Sequence, residues 1–143
     1  MHSQPNPPVR VQLGQARYWR YSAAALSLTA GLIHIIAAPE HFEEWLGYGL
    51  FFFIVASAQI LYALILLVEE PRRAFLVAGL FGNAAIIALY IVTRTIGIPF
   101  FGPRAGEVEV VGALDLISKI VELALIVCLT MMLRSPLRSA RRE

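Results

Sequence analysis

The sequence predicts an all-α, integral membrane four-helix bundle with both termini in the cytoplasm. Three observations predict it. The chain of 143 residues is 58% hydrophobic and only 15% charged, with mean hydropathy +0.68; soluble domains carry roughly 25% charged and 45–50% apolar residues. Four apolar runs cover residues 21–38, 48–68, 74–92 and 110–133. Each is close to the ~20 residues a helix needs to cross a ~30 Å hydrocarbon core, and far too long for a buried strand. The arginines, finally, fall mostly on one side of the membrane that these runs define.

The Pro-rich, basic arm over residues 1–17 is expected to be disordered. Tyr18, Trp19 and Tyr21 then mark an interfacial aromatic belt at the start of the first span. That span is read as retained rather than cleaved, because its arm and its apolar core are both long for a signal peptide. Pro39 is expected to end or kink it. Phe42, Trp45 and Tyr48 form the opposite belt before the second span. Glu69, Glu70, Pro71, Arg72 and Arg73 make a tight hairpin into the third. Gly97, Pro99, Gly102, Pro103 and Gly106 punctuate a longer, stiff loop before the fourth. That loop reads either as a structured connection or as a lid carrying Arg94, Arg104, Glu107 and Glu109. Residues 18–134 form the bundle and residues 135–143 a basic tail.

Orientation follows from the positive-inside rule. Arg10, Arg17, Arg20, Arg72, Arg73, Arg134, Arg138, Arg141 and Arg142 fall on one side, Arg94 and Arg104 on the other. The first side is cytoplasmic. A pI near 9.0 of this origin suits an anionic lipid bilayer as partner, and not nucleic acid. The single cysteine, Cys128, excludes an intramolecular disulfide and any multi-cysteine metal centre. It reads as a small buried hydrophobe in the last span.

Polar residues inside the spans point to function. A central Asp or Lys costs roughly 2.5–3.5 kcal/mol on insertion scales, so intramembrane ionisable groups are functional candidates. Asp115, Lys119 and Glu122 sit at i, i+4 and i+7 of the fourth span and share one face. An intrahelical ladder, Asp115 to Lys119 to Glu122, would offset part of the cost. It leaves one negative charge, for which Arg94 is the expected partner. Glu122, nearest mid-depth, is the better candidate for proton exchange. Asn83, Tyr90 and Arg94 share a face of the third span, Gln59 sits midway in the second, and His34 lies near the outer end of the first with His41 beyond it. The cytoplasmic halves of the spans are almost purely apolar. Polar groups avoid lipid, so these side chains are expected to meet in one chamber opening away from the cytoplasm.

The expected activity is binding or handling of a cation, a metal or a proton, from the non-cytoplasmic side. His34, His41, Asp115 and Glu122 are the candidate metal ligands, with Gln59, Asn83, Tyr90, Arg94 and Lys119 around them. Histidine with carboxylate suits copper, zinc or iron. Haem is disfavoured, because only one spanning helix supplies a histidine. Two alternatives stay open: an accessory subunit of a larger bioenergetic or transport complex, and a membrane enzyme acting on a lipid or quinone. Nucleophilic catalysis finds no support, since no Gly-x-Ser-x-Gly elbow or phosphate-cradling Gly-rich loop is present. A symmetric homo-oligomer is expected, because one four-span unit has little room for a complete transport path.

The stretches HIIAAPEHFEEWLGYGLFFF, GNAAIIALYIVTRTIGIPFFGP and DLISKIVE together resemble uncharacterised small four-helix bacterial membrane proteins, over residues 30–125. The resemblance implies a multi-pass protein of the bacterial inner membrane and carries no particular activity.

Overall fold

The computed structural model describes residues 9–134. They form four helices: α1 (Val9–Glu44), α2 (Leu46–Val68), α3 (Arg73–Thr95) and α4 (Ala113–Arg134). All four are long and apolar enough to cross a membrane. The surface is inside-out relative to a soluble protein. Large apolar side chains such as Ile36, Ile54, Phe81 and Ile120 are each more than 60% exposed, which water penalises and hydrocarbon does not.

Two boundaries differ from the sequence expectation. Pro39 does not end the first helix; α1 continues through it to Glu44. A proline inside a helix removes one N–H, here the donor that would serve the Ile35 carbonyl, and flanking turns hold the helix in register. α1 also begins at Val9, so the part of the expected disordered arm from residue 9 onward is helical. Residues 1–8 and the tail from 135 lie outside the described residues. With 36 residues at 1.5 Å each, α1 is about 53 Å long and must project beyond a ~30 Å hydrocarbon core. Only Trp45, in extended conformation, separates it from α2.

Packing is uneven. α1 is the central partner, lying against α2 and α4, while α3 packs on α4. α2 and α3 are bridged by side chains instead: the Tyr62 and Phe75 rings stack at 4.3 Å, and the Tyr62 hydroxyl donates to the Phe75 carbonyl at 3.2 Å. The core at the end of the chain termini is dry, built from Ala23, Ala24, Leu66, Leu76, Leu125, Leu129 and Met132. Cys128 is buried among them, in keeping with its reading as a small hydrophobe.

The opposite end is closed by residues 96–112. Gly106 N–H donates to the Ile98 carbonyl at 2.8 Å, and Glu109 N–H to the Thr93 carbonyl at 3.0 Å, folding the loop back on α3. The Tyr48 hydroxyl donates to the Phe101 carbonyl at 2.9 Å and fixes the loop to α2. Arg104 reaches Glu44 at the end of α1, 3.3 Å away. Gly97 allows the turn: its φ is +71°, and an added Cβ would come within 2.6 Å of the Glu107 carbonyl oxygen.

Gly97→Ala is therefore expected to cost about 1–3 kcal/mol, since strained φ and a backbone clash both resist it. Gly82→Ala, in a helix with open space around the new Cβ, should cost nothing. Thermal midpoints in the same detergent check the pair; equal midpoints would refute this account of the loop.

Candidate functional site

The polar face of α4 is set by helical geometry. Asp115, Ser118, Lys119 and Glu122 occupy i, i+3, i+4 and i+7, so one stripe carries all four. Asp115 stands in the first turn, where a carboxylate meets the positive end of the helix dipole. Its Oδ2 accepts the Gly112 N–H at 3.0 Å, the reciprocal half of a capping box. Arg94 stands in the last turn of α3, where a cation is favoured for the opposite reason. The two ends meet: Arg94 Nη2 donates to Asp115 Oδ2 at 2.7 Å. Arg94 Nη1 also pairs with Glu109 and donates to Thr93 Oγ1. The bond from Glu109 N–H to Thr93 is what brings that second carboxylate within reach.

About two turns deeper than Asp115, Glu122 is 0% exposed. By the 1.5 Å rise it lies about 14 Å from the start of α4. Oε1 accepts the Ser118 hydroxyl at 3.2 Å and faces His34 Nε2 at 3.0 Å; Oε2 pairs with Lys119. A buried carboxylate without partners would be prohibitive in hydrocarbon, and this one is met on both oxygens from α1 and α4. His34 is itself buried and touches the Phe52 ring edge-on at 5.5 Å. His41 stacks on the other part of the same wall, its ring 3.8 Å from that of Phe52, with Nδ1 3.5 Å from Glu44. Because α1 is unbroken, the seven-residue spacing keeps both histidines on one face.

These groups surround a cavity of about 310 Å³ at the loop end. His34, His41, Tyr90, Arg94, Asp115, Ser118 and Lys119 supply its polar lining, and Phe51, Phe52, Ile86, Leu89, Ile98 and Phe101 much of its apolar wall. Tyr90 lies beneath two cations, with Arg94 Cζ 5.1 Å and Lys119 Nζ 5.4 Å from its ring centre. Glu122 stands behind the wall and reaches the cavity only through His34, Ser118 and Lys119.

The candidate residues are thus gathered in two places rather than one. Gln59 and Asn83 line a second cavity, of about 200 Å³, between α1, α2 and α3. There Gln59 Nε2 donates to Asn83 Oδ1 at 3.3 Å, Asn83 Nδ2 to the Gly79 carbonyl at 2.8 Å, and Ser27 Oγ to the Gln59 carbonyl at 2.8 Å. The expected ladder along α4 is also rearranged. Lys119 pairs with Glu122, while Asp115 goes to Arg94 instead of Lys119. Arg94 does take up a negative charge as expected, but Glu109 adds another. Nor do the four candidate metal ligands converge. His34 is bonded to Glu122, His41 to Glu44 and Asp115 to Arg94, and among the described residues no group of three or more His, Cys, Asp or Glu side chains is placed to hold a metal ion.

Sequence reasoning passed over Phe52, which touches both histidines, and Ser27. Phe52 lies in an aromatic run that reads simply as apolar, and Ser27 in a stretch otherwise fit for lipid. No protein-family profile matches the chain, and no curated protein or solved structure is significantly similar to it.

The pairing makes Lys119 a test of the network. Lys119→Met strips Glu122 of its cation, and breaking a buried pair on one side costs about 3–5 kcal/mol. The double variant Lys119→Met/Glu122→Leu removes the orphaned charge and should recover most of that loss. Unfolding titrations of the two variants in mixed micelles decide it; equal losses in both would argue against the pair.

Proposed function

We propose that the protein is a multi-pass protein of the bacterial inner membrane, with both termini cytoplasmic, that takes up and releases a proton at His34 from a cavity facing the non-cytoplasmic side. The carrying observation is the bonding of Glu122. As a carboxylate it only accepts hydrogen bonds. It accepts from Ser118 and pairs with Lys119, so the His34 nitrogen facing it, Nε2, carries the ring proton. Nδ1 then holds a lone pair. It has no hydrogen-bond partner among the described residues, and His34 lines the cavity. A carboxylate that orients an imidazole and stabilises its protonated form is the arrangement by which histidine serves as a proton acceptor.

Charge balance supports the same reading. Around the cavity, Arg94 and Lys119 stand against Glu109, Asp115 and Glu122. One negative charge is in surplus, in surroundings where a lone charge is expensive. One proton on the imidazole cancels it. A proton therefore suits the network better than a divalent metal, for which the four candidate ligands are too dispersed. The arginine asymmetry supports cytoplasmic termini, with the loop over residues 96–112 on the other side.

Nitrogen NMR of histidine-labelled protein in lipid nanodiscs tests this. In the alkaline spectrum the signal that disappears in His34→Gln should show a protonated Nε2 and a bare Nδ1. Nδ1 should gain a proton on acidification. Glu122→Gln should yield a mixture of both neutral forms. A bare Nε2 in the wild-type protein, or a ring that never titrates, would contradict the proposal.

A further inference from the structure

We infer that the cavity beside His34 binds an uncharged aromatic amphiphile through a hydroxyl group, a phenol or hydroquinone ring with its apolar body against Phe51, Phe52 and Phe101. The inference rests on the proton-acceptor reading of His34 and extends it to the molecule that supplies the proton.

Size and chemistry of the walls come first. At about 310 Å³ the cavity stands at the lower end of the ~300–1,000 Å³ range of sites for small organic ligands. Such sites combine apolar and aromatic walls with a few polar groups that fix orientation, and this one does. Most polar groups in the wall are already engaged with one another: Arg94 with Glu109 and Asp115, Lys119 with Glu122, Ser118 with Glu122. Bonding positions are left over at His34 and Tyr90. His34 Nδ1 is an acceptor without a donor. The Tyr90 hydroxyl has no hydrogen-bond partner among the described residues.

A complementary ligand therefore offers one hydroxyl to donate to His34 and one oxygen to accept from Tyr90. Both must be borne on an apolar frame that can lie against phenylalanine rings. A para-oxygenated phenol has this pattern. While His34 is neutral, Glu109, Asp115 and the Glu122 carboxylate just behind the wall outweigh Arg94 and Lys119, which disfavours carboxylate amphiphiles such as fatty acids by like-charge repulsion. When the hydroxyl donates, its O–H bond weakens as the N–H bond at Nδ1 forms. Full transfer leaves phenolate beside imidazolium, and no oxidant or reductant is involved.

The test uses the full-length protein in nanodiscs and equilibrium binding of four small probes. Para-methoxyphenol, which has both a donor and an acceptor oxygen, is expected to bind. Para-dimethoxybenzene, with the same shape and no donor, should bind at least tenfold more weakly, and octanoate should show no saturable binding. Leu89→Trp fills the cavity from an apolar wall and should abolish binding of the phenol. His34→Gln should narrow the gap between the two aromatic probes. If octanol binds as tightly as para-methoxyphenol, the site takes an aliphatic hydroxyl such as that of a lipid, and the aromatic assignment is overturned. Equal affinity for the two aromatic probes, or persistence of binding in Leu89→Trp, overturns it as well. If His34 titrates in the ligand-free protein and no probe binds, this inference alone fails; if His34 does not titrate, the earlier reading fails with it.

Discussion

A carboxylate with no solvent contact dominates the energetics of this bundle. Glu122 is fully buried within a helix whose other side faces are Leu, Ile and Val. Nothing in an apolar protein interior can solvate it, so the fold must bring partners to it or lose several kcal/mol. The nearest are supplied by its own helix, from Ser118 one turn back and Lys119 three residues back. The third has to come from another helix, and α1 provides His34 across 88 residues of sequence. That contact fixes the rotation of α1 against α4. It thereby decides which face of α1 meets the cavity, and with it the placement of His41 on Phe52.

The second ion network has a different task. Arg94, Asp115 and Glu109 join the end of α3, the start of α4 and the loop between them. Arg94 and Asp115 each stand where their own helix dipole favours them. The network lies nearer the surface than Glu122, with Asp115 and Glu109 side chains partly exposed, and water can share the cost of its charges. It closes the loop end together with Trp45 and Tyr48, which hold Phe101 of the loop through the hydroxyl bond and ring contacts at 4.9–5.9 Å. The cavity is the space left between a rigid cap and a buried ion cluster that apolar side chains could not fill without losing one or the other.

Much of this was legible in the sequence because membrane spans are read from composition, and composition survives folding. Four uninterrupted apolar runs became four helices. The i, i+4, i+7 stripe on the fourth run is a statement about helix geometry, and it held for Asp115, Lys119 and Glu122. What depth along the membrane cannot supply is azimuth. Gln59 and Asn83 have suitable heights for the His34 chamber, yet their helix faces turn toward a different cavity. Pairing choices were equally hidden. Lys119 can reach either Asp115 or Glu122 along its own helix, and the choice depends on Arg94 and His34, which arrive from other helices. Pro39 does not end α1 for a related reason: local propensity disfavours a mid-helix proline, and tertiary packing overrides it. Phe52 carried no signal at all, since one aromatic in a lipid-facing run looks like the next.

The account turns on Glu122 being ionised and accepting from His34 while it remains inside the bundle. Infrared difference spectra of the wild-type protein against Glu122→Gln, in lipid at neutral pH, address this directly. The account predicts that the variant loses a pair of carboxylate stretching bands and no carboxylic-acid carbonyl band. A carbonyl band that vanishes with Glu122 would mean a neutral acid donating to the histidine, and would contradict the assignment of Nδ1 as the open, proton-accepting position.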